Sequence, residues 1–142
     1  MPSQLEPRIR QWGMWCHLSI LPAILVGLLL PIPFISILLP YIVWQNGRGK
    51  HPFINEQGRE AVNFQISMTL YSLIGAVLFL VTLFQAYSLR TSNNQLFILI
   101  LEIEMGLLAA FLLAQIIAVA IAAHKAYQGK VFRYPLIFRW LK

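Results

Sequence analysis

The chain has 142 residues, of which 58% are hydrophobic and only 11% are charged, so its composition is that of a membrane protein. Eleven Lys and Arg residues and five Glu residues could not cover the exterior of a soluble domain of this size. The net charge of +6 does not indicate nucleic-acid binding, because the basic residues stand beside apolar segments and form no isolated run.

Apolar residues fall into four segments that are bounded by charges, prolines, glycines or polar loops. In lipid, the backbone N–H and C=O groups of a segment must form hydrogen bonds within that segment, which favours helices. The sequence also lacks the ten-residue stretches of alternating apolar and polar residues that form barrel strands. We therefore predict an all-α fold, a polytopic membrane helical bundle that forms a single domain over residues 1–142. The predicted helices cover residues 12–30, 34–46, 52–86 and 96–128, and residues 129–142 form a tail.

The first two segments are unusual, because residues 34–44 would cover only about 17 Å of a roughly 30 Å hydrocarbon core. Pro31 and Pro33 separate the two segments, and Pro22 and Pro40 lie inside them. We expect a short hairpin that is broken by proline, with locally thinned membrane around it.

Basic residues indicate the orientation of the helices. If all four segments cross the membrane, only Arg90 lies on the outer side. All other Lys and Arg residues then lie on the inner side: Arg8, Arg10, Arg48, Lys50, Arg59, Lys125, Lys130, Arg133, Arg139 and Lys142. This asymmetry predicts a multi-pass protein with both termini in the cytoplasm. We expect it in a bacterial inner membrane, or in a thylakoid membrane if the source is photosynthetic.

The last two helices carry recognisable boundary signals. Pro52 suits a first helical turn, and Gly58 weakens the helix enough to allow a bend before the span. Gly129 has cationic residues nearby, as expected at a helix C-terminus. The tail mixes aromatic and basic residues, which is typical of the lipid headgroup zone, so we expect it to lie along the cytoplasmic surface.

Residues 51–65 (HPFINEQGREAVNFQ) and 126–136 (AYQGKVFRYPL) resemble two signatures of a family of small bacterial membrane proteins of unknown function. The order of helices and the basic tail extend the resemblance over nearly the whole chain. That family is described as similar to the twenty-kilodalton Tic subunit of the chloroplast inner-envelope import machinery, which has four membrane helices. The resemblance implies this topology and no enzymatic activity.

The two signatures supply the candidate interaction site. Its residues are Glu56, Arg59, Glu60, Asn63, Phe64, Gln65, Gly129, Arg133, Tyr134 and Pro135. Glu56 and Glu60 share one helix face, where paired carboxylates can bind a cation or share a proton. We favour instead a solvated interfacial helix with salt bridges, and we interpret Asn63 and Gln65 as links between helices through hydrogen bonds.

Placing a carboxylate in an apolar membrane segment costs free energy, so carboxylates there commonly have a function. Glu102 and Glu104 are therefore candidates for a polar path together with Gln115. We expect both Glu residues to be wet, because residues 96–123 would run about 42 Å and exceed the membrane core. A metal site could also draw on Cys16, His17, His51 and His124, but their spacing matches no metal motif. We predict no metal and no cofactor.

The chain contains no Asp, no acyl-transfer motif and no phosphate loop, so we predict that it is not an enzyme. The leading hypothesis is a non-catalytic subunit or accessory factor of a membrane complex, in protein translocation or in assembly. Its expected partners are the lipid bilayer and a membrane protein or further copies of itself. The alternative hypothesis is a small oligomeric transporter or channel.

Overall fold

The computed structural model describes residues 5–29, 34–88 and 94–141. Within these ranges the regular structure is helical and no strand occurs, which confirms the predicted all-α class. The helices are α1 (Pro7–Leu18), α2 (Ile20–Leu29), α3 (Ile35–Gly47), α4 (Pro52–Ser88) and α5 (Asn94–Tyr127). The chain forms two compact units, one from Met1–Thr69 with Ile117–Lys142 and the other from Leu70–Ile116.

The segment predicted as one helix over residues 12–30 is two helices. It starts earlier than predicted, because Pro7 occupies the first turn of α1, where its missing N–H is not needed. The helix is interrupted at Ser19, whose hydroxyl donates to the carbonyl of Cys16 over 2.9 Å. Pro22 then falls in the first turn of α2, where a proline is tolerated. Pro22 favours this separation, because in a continuous helix its ring would clash with the carbonyl of Leu18, four residues earlier.

Neither α2 nor α3 is long enough to cross a membrane. With 10 and 13 residues they extend about 15 Å and about 20 Å. They pack against each other, as a hairpin requires, and Pro40 lies inside α3 as predicted. The turn predicted at Pro31 and Pro33 lies outside the described residues.

Two helices are long and apolar enough to span a membrane, α4 over its 37 residues and α5 from Gln95 to Tyr127. Only 6% and 11% of their most apolar windows are buried inside the protein. The core helix of a soluble protein would be mostly buried, so these surfaces require another apolar surrounding. The loop predicted on the outer side at residues 87–95, with Arg90, falls largely outside the described residues.

Gly58 allows close packing rather than a bend. The helix α4 continues through this position without interruption. A Cβ at Gly58 would overlap the indole of Trp44 and lie 2.7 Å from its Cβ. Trp44 is 7% exposed, and its Nε1 donates to Asn55 Oδ1 over 2.9 Å. The glycine therefore lets α3 approach the first turns of α4.

The C-terminus of α5 is confirmed at the predicted glycine. Gly129 adopts a left-handed conformation with φ 75°, which glycine takes at little energetic cost. Its N–H donates to the carbonyl of Ala126 over 2.9 Å, and the N–H of Lys130 donates to that of Lys125 over 3.0 Å. These two bonds form a Schellman motif, which ends the helix and directs the tail (residues 129–141) back along the first unit.

The core of the first unit is built around the tail. Tyr134 packs with residues of three helices, including Ile20 of α2, Phe64 of α4 and Val119 of α5. A second cluster joins Cys16 of α1 to Ile54 and Ala61 at the start of α4. The tail is therefore part of the core, which the sequence did not predict. Its position along the membrane surface stays a prediction.

Candidate functional site: a clamp between the tail and helix α4

Tyr134 anchors the tail. Its side chain is 2% exposed and stacks on Phe64, with ring centroids 4.0 Å apart. Its hydroxyl lies 3.0 Å from His17 Nδ1 of α1. Phe132 meets the same ring edge-on at 5.1 Å. A single aromatic residue of the tail thus contacts both α1 and α4.

His17 connects this anchor to α4 through a second hydrogen bond. Its Nε2 lies 2.7 Å from Gln57 Oε1, and the imidazole is 2% exposed. Because Gln57 Oε1 can only accept, Nε2 carries the proton and Nδ1 accepts from the Tyr134 hydroxyl. Helix α1 is not one of the two candidate membrane spans. Burial lowers the pKa of His17 to about 4, against a weaker opposing effect of the hydrogen bond to Gln57. The imidazole is therefore neutral at physiological pH.

Burial has the corresponding effect on the tail phenol. It raises the pKa of Tyr134, and the negative charge of Glu60 raises it further. The phenol stays protonated and remains a hydrogen-bond donor to His17. Gln57, His17 and Tyr134 are thus linked, in this order, in an uncharged buried network. The Nε2 of Gln57 is buried without a hydrogen-bond partner among the described residues.

Three polar residues of α4 hold the end of the tail, and we name their contacts the tail clamp. Glu60, Asn63 and Ser67 lie at i, i+3 and i+7, so they share one face of the helix. Asn63 donates through Nδ2 to the carbonyl of Leu141 over 3.0 Å and accepts from the Leu141 N–H over 2.9 Å. Ser67 Oγ accepts from the N–H of Phe138 over 2.9 Å. The extended backbone of the tail is therefore satisfied by side chains in the absence of a partner strand.

The third member of the clamp is an ion pair. Arg139 Nε donates to Glu60 Oε1 over 3.1 Å, and Arg139 Nη2 donates to the carbonyl of Tyr134 over 3.2 Å. The side chain of Glu60 is 7% exposed and that of Arg139 is 48% exposed. Glu60 is therefore buried, which corrects the expectation of a solvated salt bridge at this position. Its second oxygen, Oε2, is buried without a hydrogen-bond partner among the described residues.

A polar pocket of about 190 Å³ opens beside the clamp. It is lined by Glu56, Arg59, Glu60, Asn63, Arg133, Arg139 and Leu141. Glu56 and Arg133 form an exposed pair at 3.7 Å, as expected for a solvated salt bridge. Arg59 forms no ion pair with the described residues. The pocket holds three Arg and two Glu side chains, so its net charge is +1.

The structure brings most of the predicted interaction residues together. Glu56, Arg59, Glu60, Asn63 and Arg133 all line the pocket. Phe64 and Tyr134 form the stacked pair beneath it, and Gly129 turns the tail towards it. Gln65 is buried in α4, and Pro135 precedes a left-handed turn at Leu136.

Four participants were missed by the sequence reasoning: His17, Gln57, Ser67 and Arg139. No local pattern marks them, because their partners lie 40 to 117 residues away for His17 and 71 to 79 residues away for Ser67 and Arg139. Only the polarity of Ser67 between apolar neighbours, and of His17 before an apolar segment, hinted at buried hydrogen bonds.

The candidate polar path belongs to the second unit, and the structure separates its members. Glu104 is half-buried, and its Oε1 accepts from Thr82 Oγ1 over 2.9 Å. It lines an apolar groove of about 420 Å³ between α4 and α5, whereas Glu102 is exposed and Gln115 is half-buried outside that groove. The groove therefore contains one of the three predicted residues.

The predicted metal candidates form separate contacts. Cys16 is fully buried, His51 Nδ1 accepts from the N–H of Phe53, and His124 bonds to Gln128. Among residues 5–29, 34–88 and 94–141, no group of three His, Cys, Asp or Glu side chains could hold a metal ion. The pocket beside the clamp offers charged groups of both signs, which can bind and orient a charged partner.

A comparison with protein families gives one match. The model of the magnetosome magnetite crystal formation protein family matches residues 8–141. The matched region includes both signature segments and all residues of the clamp. No match was found among curated proteins or among solved structures. None of these comparisons supports the resemblance to the Tic subunit.

Proposed function

Because the chain belongs to the magnetosome magnetite crystal formation protein family, we propose that it is a non-catalytic membrane factor in the formation of such crystals. In this role the tail clamp holds a charged surface on the cytoplasmic side of the membrane, where a membrane-protein partner binds. Assembly in this setting replaces protein translocation as the proposed process.

The exposed apolar helices support membrane insertion. In the proposed topology α4 and α5 cross the membrane, and α2 with α3 forms a short hairpin that enters from the cytoplasmic side. Helix α1 stays on that side with the first turns of α4, since His17 and Gln57 are bonded to each other. The excess of Lys and Arg near the clamp is the expected signal for the cytoplasmic face.

The observation that carries the partner surface is the buried Glu60 beneath Arg139. Desolvating a carboxylate that is 7% exposed costs free energy, which offsets much of its attraction to Arg139. The ion pair therefore adds little net stability, and we propose that its role is to fix the tail in one register against α4. The clamp holds the two signature segments in contact and presents Arg59, Arg133 and Glu56 as one polar surface.

The role is tested in a magnetosome-forming bacterium from which its own members of the family have been deleted. The chain is expressed as wild type, as Arg139→Gln and as Arg48→Gln, and crystal number and size are measured by electron microscopy. We expect wild type and Arg48→Gln to restore crystals equally, since Arg48 is exposed and lines neither pocket. Arg139→Gln should restore fewer or smaller crystals at equal protein level.

Two results would remove the proposal. If wild type at normal abundance in the membrane restores nothing, the chain does not act in crystal formation. If Arg139→Gln restores crystals as well as Arg48→Gln does, the clamp is not the functional surface.

A second candidate function, a small oligomeric transporter or channel, is favoured by one observation. Glu104 Oε2 is buried without a partner among the described residues, within a segment long enough to span a membrane. Intramembrane carboxylates commonly mark ion or proton pathways. Reconstitution in liposomes tests it, with Glu102→Gln as the control: ion or proton flux that is lost only in Glu104→Gln would establish transport, and no flux in wild type would exclude it.

A further inference from the structure

The pocket beside the clamp is lined by two residues with unpaired polar groups among the described contacts, the acceptor Glu60 Oε2 and the guanidinium of Arg59. Glu60 Oε2 is a buried acceptor for which the described residues supply no donor, on a residue that is 6% exposed. Arg59 lines the same pocket as a donor that forms no ion pair with the described residues. Buried polar atoms are nearly always satisfied, so an unsatisfied oxygen on a residue that lines a pocket, beside an arginine unpaired among the described residues, makes this pocket the candidate site for a bound group.

Charge restricts the identity of that group. Arg139 is paired with Glu60 and Arg133 lies near Glu56, so within the described parts of the chain the positive charge of Arg59 is uncompensated. An anion with a single negative charge would therefore neutralise the pocket. Since the charge of Glu60 is already met by Arg139, its free oxygen needs only a neutral donor such as a hydroxyl.

The height of the pocket along α4 points to lipid. From Ile66 to Ser88 the helix carries no charged residue, so the apolar span begins near Ile66. Asn63 lies three residues before that point, or about 5 Å along the helix axis, and Glu60 lies six residues before it, or about 9 Å. This distance overlaps the headgroup layer, which is about 5 to 8 Å thick on each side of the core.

Exposed tail residues flank the pocket at the same height. Arg139 and Leu141 line it, while their neighbours Phe138 and Trp140 are 49% and 66% exposed. Aromatic side chains of this kind favour the membrane–water interface. The tail thus offers alternate residues to the pocket and to the surrounding lipid.

We propose that this pocket binds the headgroup of a phospholipid with one phosphodiester charge and a free hydroxyl, the chemistry of phosphatidylglycerol. The phosphate accepts from Arg59, and the hydroxyl donates to Glu60 Oε2. The proposal rests on the membrane insertion described above and does not depend on a role in crystal formation. The pocket, with a volume of about 190 Å³, would take the headgroup, and the acyl chains would remain outside it.

The test is native mass spectrometry of the full chain in mild detergent, titrated with lipids of defined headgroup. Phosphatidylglycerol should bind more tightly than phosphatidylmethanol, which has the same charge without a hydroxyl. Phosphatidylcholine, which has no donor, should bind most weakly. Glycerol phosphate without acyl chains serves as the probe for a free phosphate ligand.

The matched variants are Arg59→Gln and Arg48→Gln. Arg59→Gln should weaken phosphatidylglycerol binding by about ten-fold, since it removes one charge-assisted hydrogen bond. The melting temperature of this variant without added lipid should stay unchanged, because Arg59 forms no ion pair with any described residue. Arg48→Gln should bind as wild type does.

Three outcomes would overturn the inference. Equal binding of phosphatidylglycerol and phosphatidylmethanol would exclude the hydroxyl contact with Glu60. Equal loss in Arg59→Gln and Arg48→Gln would show general attraction to anionic lipid. Binding of glycerol phosphate as tight as that of the lipid would assign the pocket to a soluble phosphate compound. Restored crystals in the magnetosome experiment together with any of these results would leave the proposed function standing without this site.

Discussion

Breaking the clamp ion pair from its two ends should have unequal effects. The carboxylate of Glu60 is 7% exposed, whereas the Arg139 side chain is 48% exposed. Arg139→Gln leaves a buried charge without its partner, which costs about 3 to 5 kcal/mol in a fully buried pair. Because water reaches the arginine end, we expect about half of this, roughly 2 kcal/mol. Glu60→Gln leaves a half-exposed guanidinium that water can solvate, so we expect less than about 1 kcal/mol.

The affected equilibrium is the local release of the tail from α4. The amides of Phe138 and Leu141 report it, because they donate to Ser67 and Asn63 in the closed state. A loss of about 2 kcal/mol corresponds to about 30-fold faster hydrogen exchange, provided that the tail recloses faster than its open amides exchange. The assay is hydrogen–deuterium exchange of the peptide that covers residues 131–141, measured by mass spectrometry in detergent micelles.

Arg133→Gln is the control for this prediction. Arg133 belongs to the same tail and faces another glutamate of α4, but its pair is 3.7 Å long, with side chains 73% and 36% exposed. We expect less than about two-fold faster exchange from its loss. The reasoning is refuted if Arg133→Gln and Arg139→Gln accelerate exchange equally, or if Glu60→Gln has the larger effect.

Three further predictions concern the fold around the clamp. Gly58→Ala should lower the free energy of unfolding by about 1 to 3 kcal/mol, because its Cβ would overlap Trp44; Gly75→Ala, in open space on the same helix, should not, and equal effects would contradict the packing argument. Gly129→Ala should cost about 1 kcal/mol in thermal unfolding, since φ is 75° there; no change would argue against the Schellman motif. The pKa of His17 is lowered from 6.5 to about 4 in the folded protein, so the unfolded chain takes up the proton first as the pH falls. The contribution of neutral His17 to the free energy of unfolding is therefore fully present above pH 6.5 and is about 2 kcal/mol smaller at pH 5. His17→Gln should flatten this pH dependence of unfolding, and an unchanged profile would disprove it.

Much of the fold could be predicted from local patterns. Long apolar runs predicted α4 and α5, and Gly129 marked the end of α5, because hydrophobic length and helix-ending glycines act within a few residues. The break at Ser19 could have been read from Pro22, which was instead assigned to a helix interior. Gly58 was interpreted through helix propensity alone, whereas its role depends on Trp44 of another helix.

The site was predictable only in part. The two signature segments contain Glu56, Arg59 and Arg133, and the structure places them in one pocket. The burial of Glu60 and Tyr134 could not be inferred, because it depends on where the tail folds back. Aromatic and basic residues in a tail have the same sequence pattern whether they face lipid or pack into a core, and only the long-range contacts distinguish the two.

The central claim is that α4 and α5 cross the membrane and place the tail clamp on the cytoplasmic side. Labelling with a membrane-impermeant maleimide in bacterial spheroplasts tests it most directly, using Tyr87→Cys and Lys130→Cys separately. Tyr87 is 85% exposed near the end of α4, and Lys130 is exposed at the start of the tail. Cys16 can stay, since its side chain is fully buried and burial raises the pKa of its thiol to about 12. The account predicts that Tyr87→Cys is labelled in intact spheroplasts and Lys130→Cys only after permeabilisation; labelling of both before permeabilisation, or of Lys130→Cys alone, would contradict it.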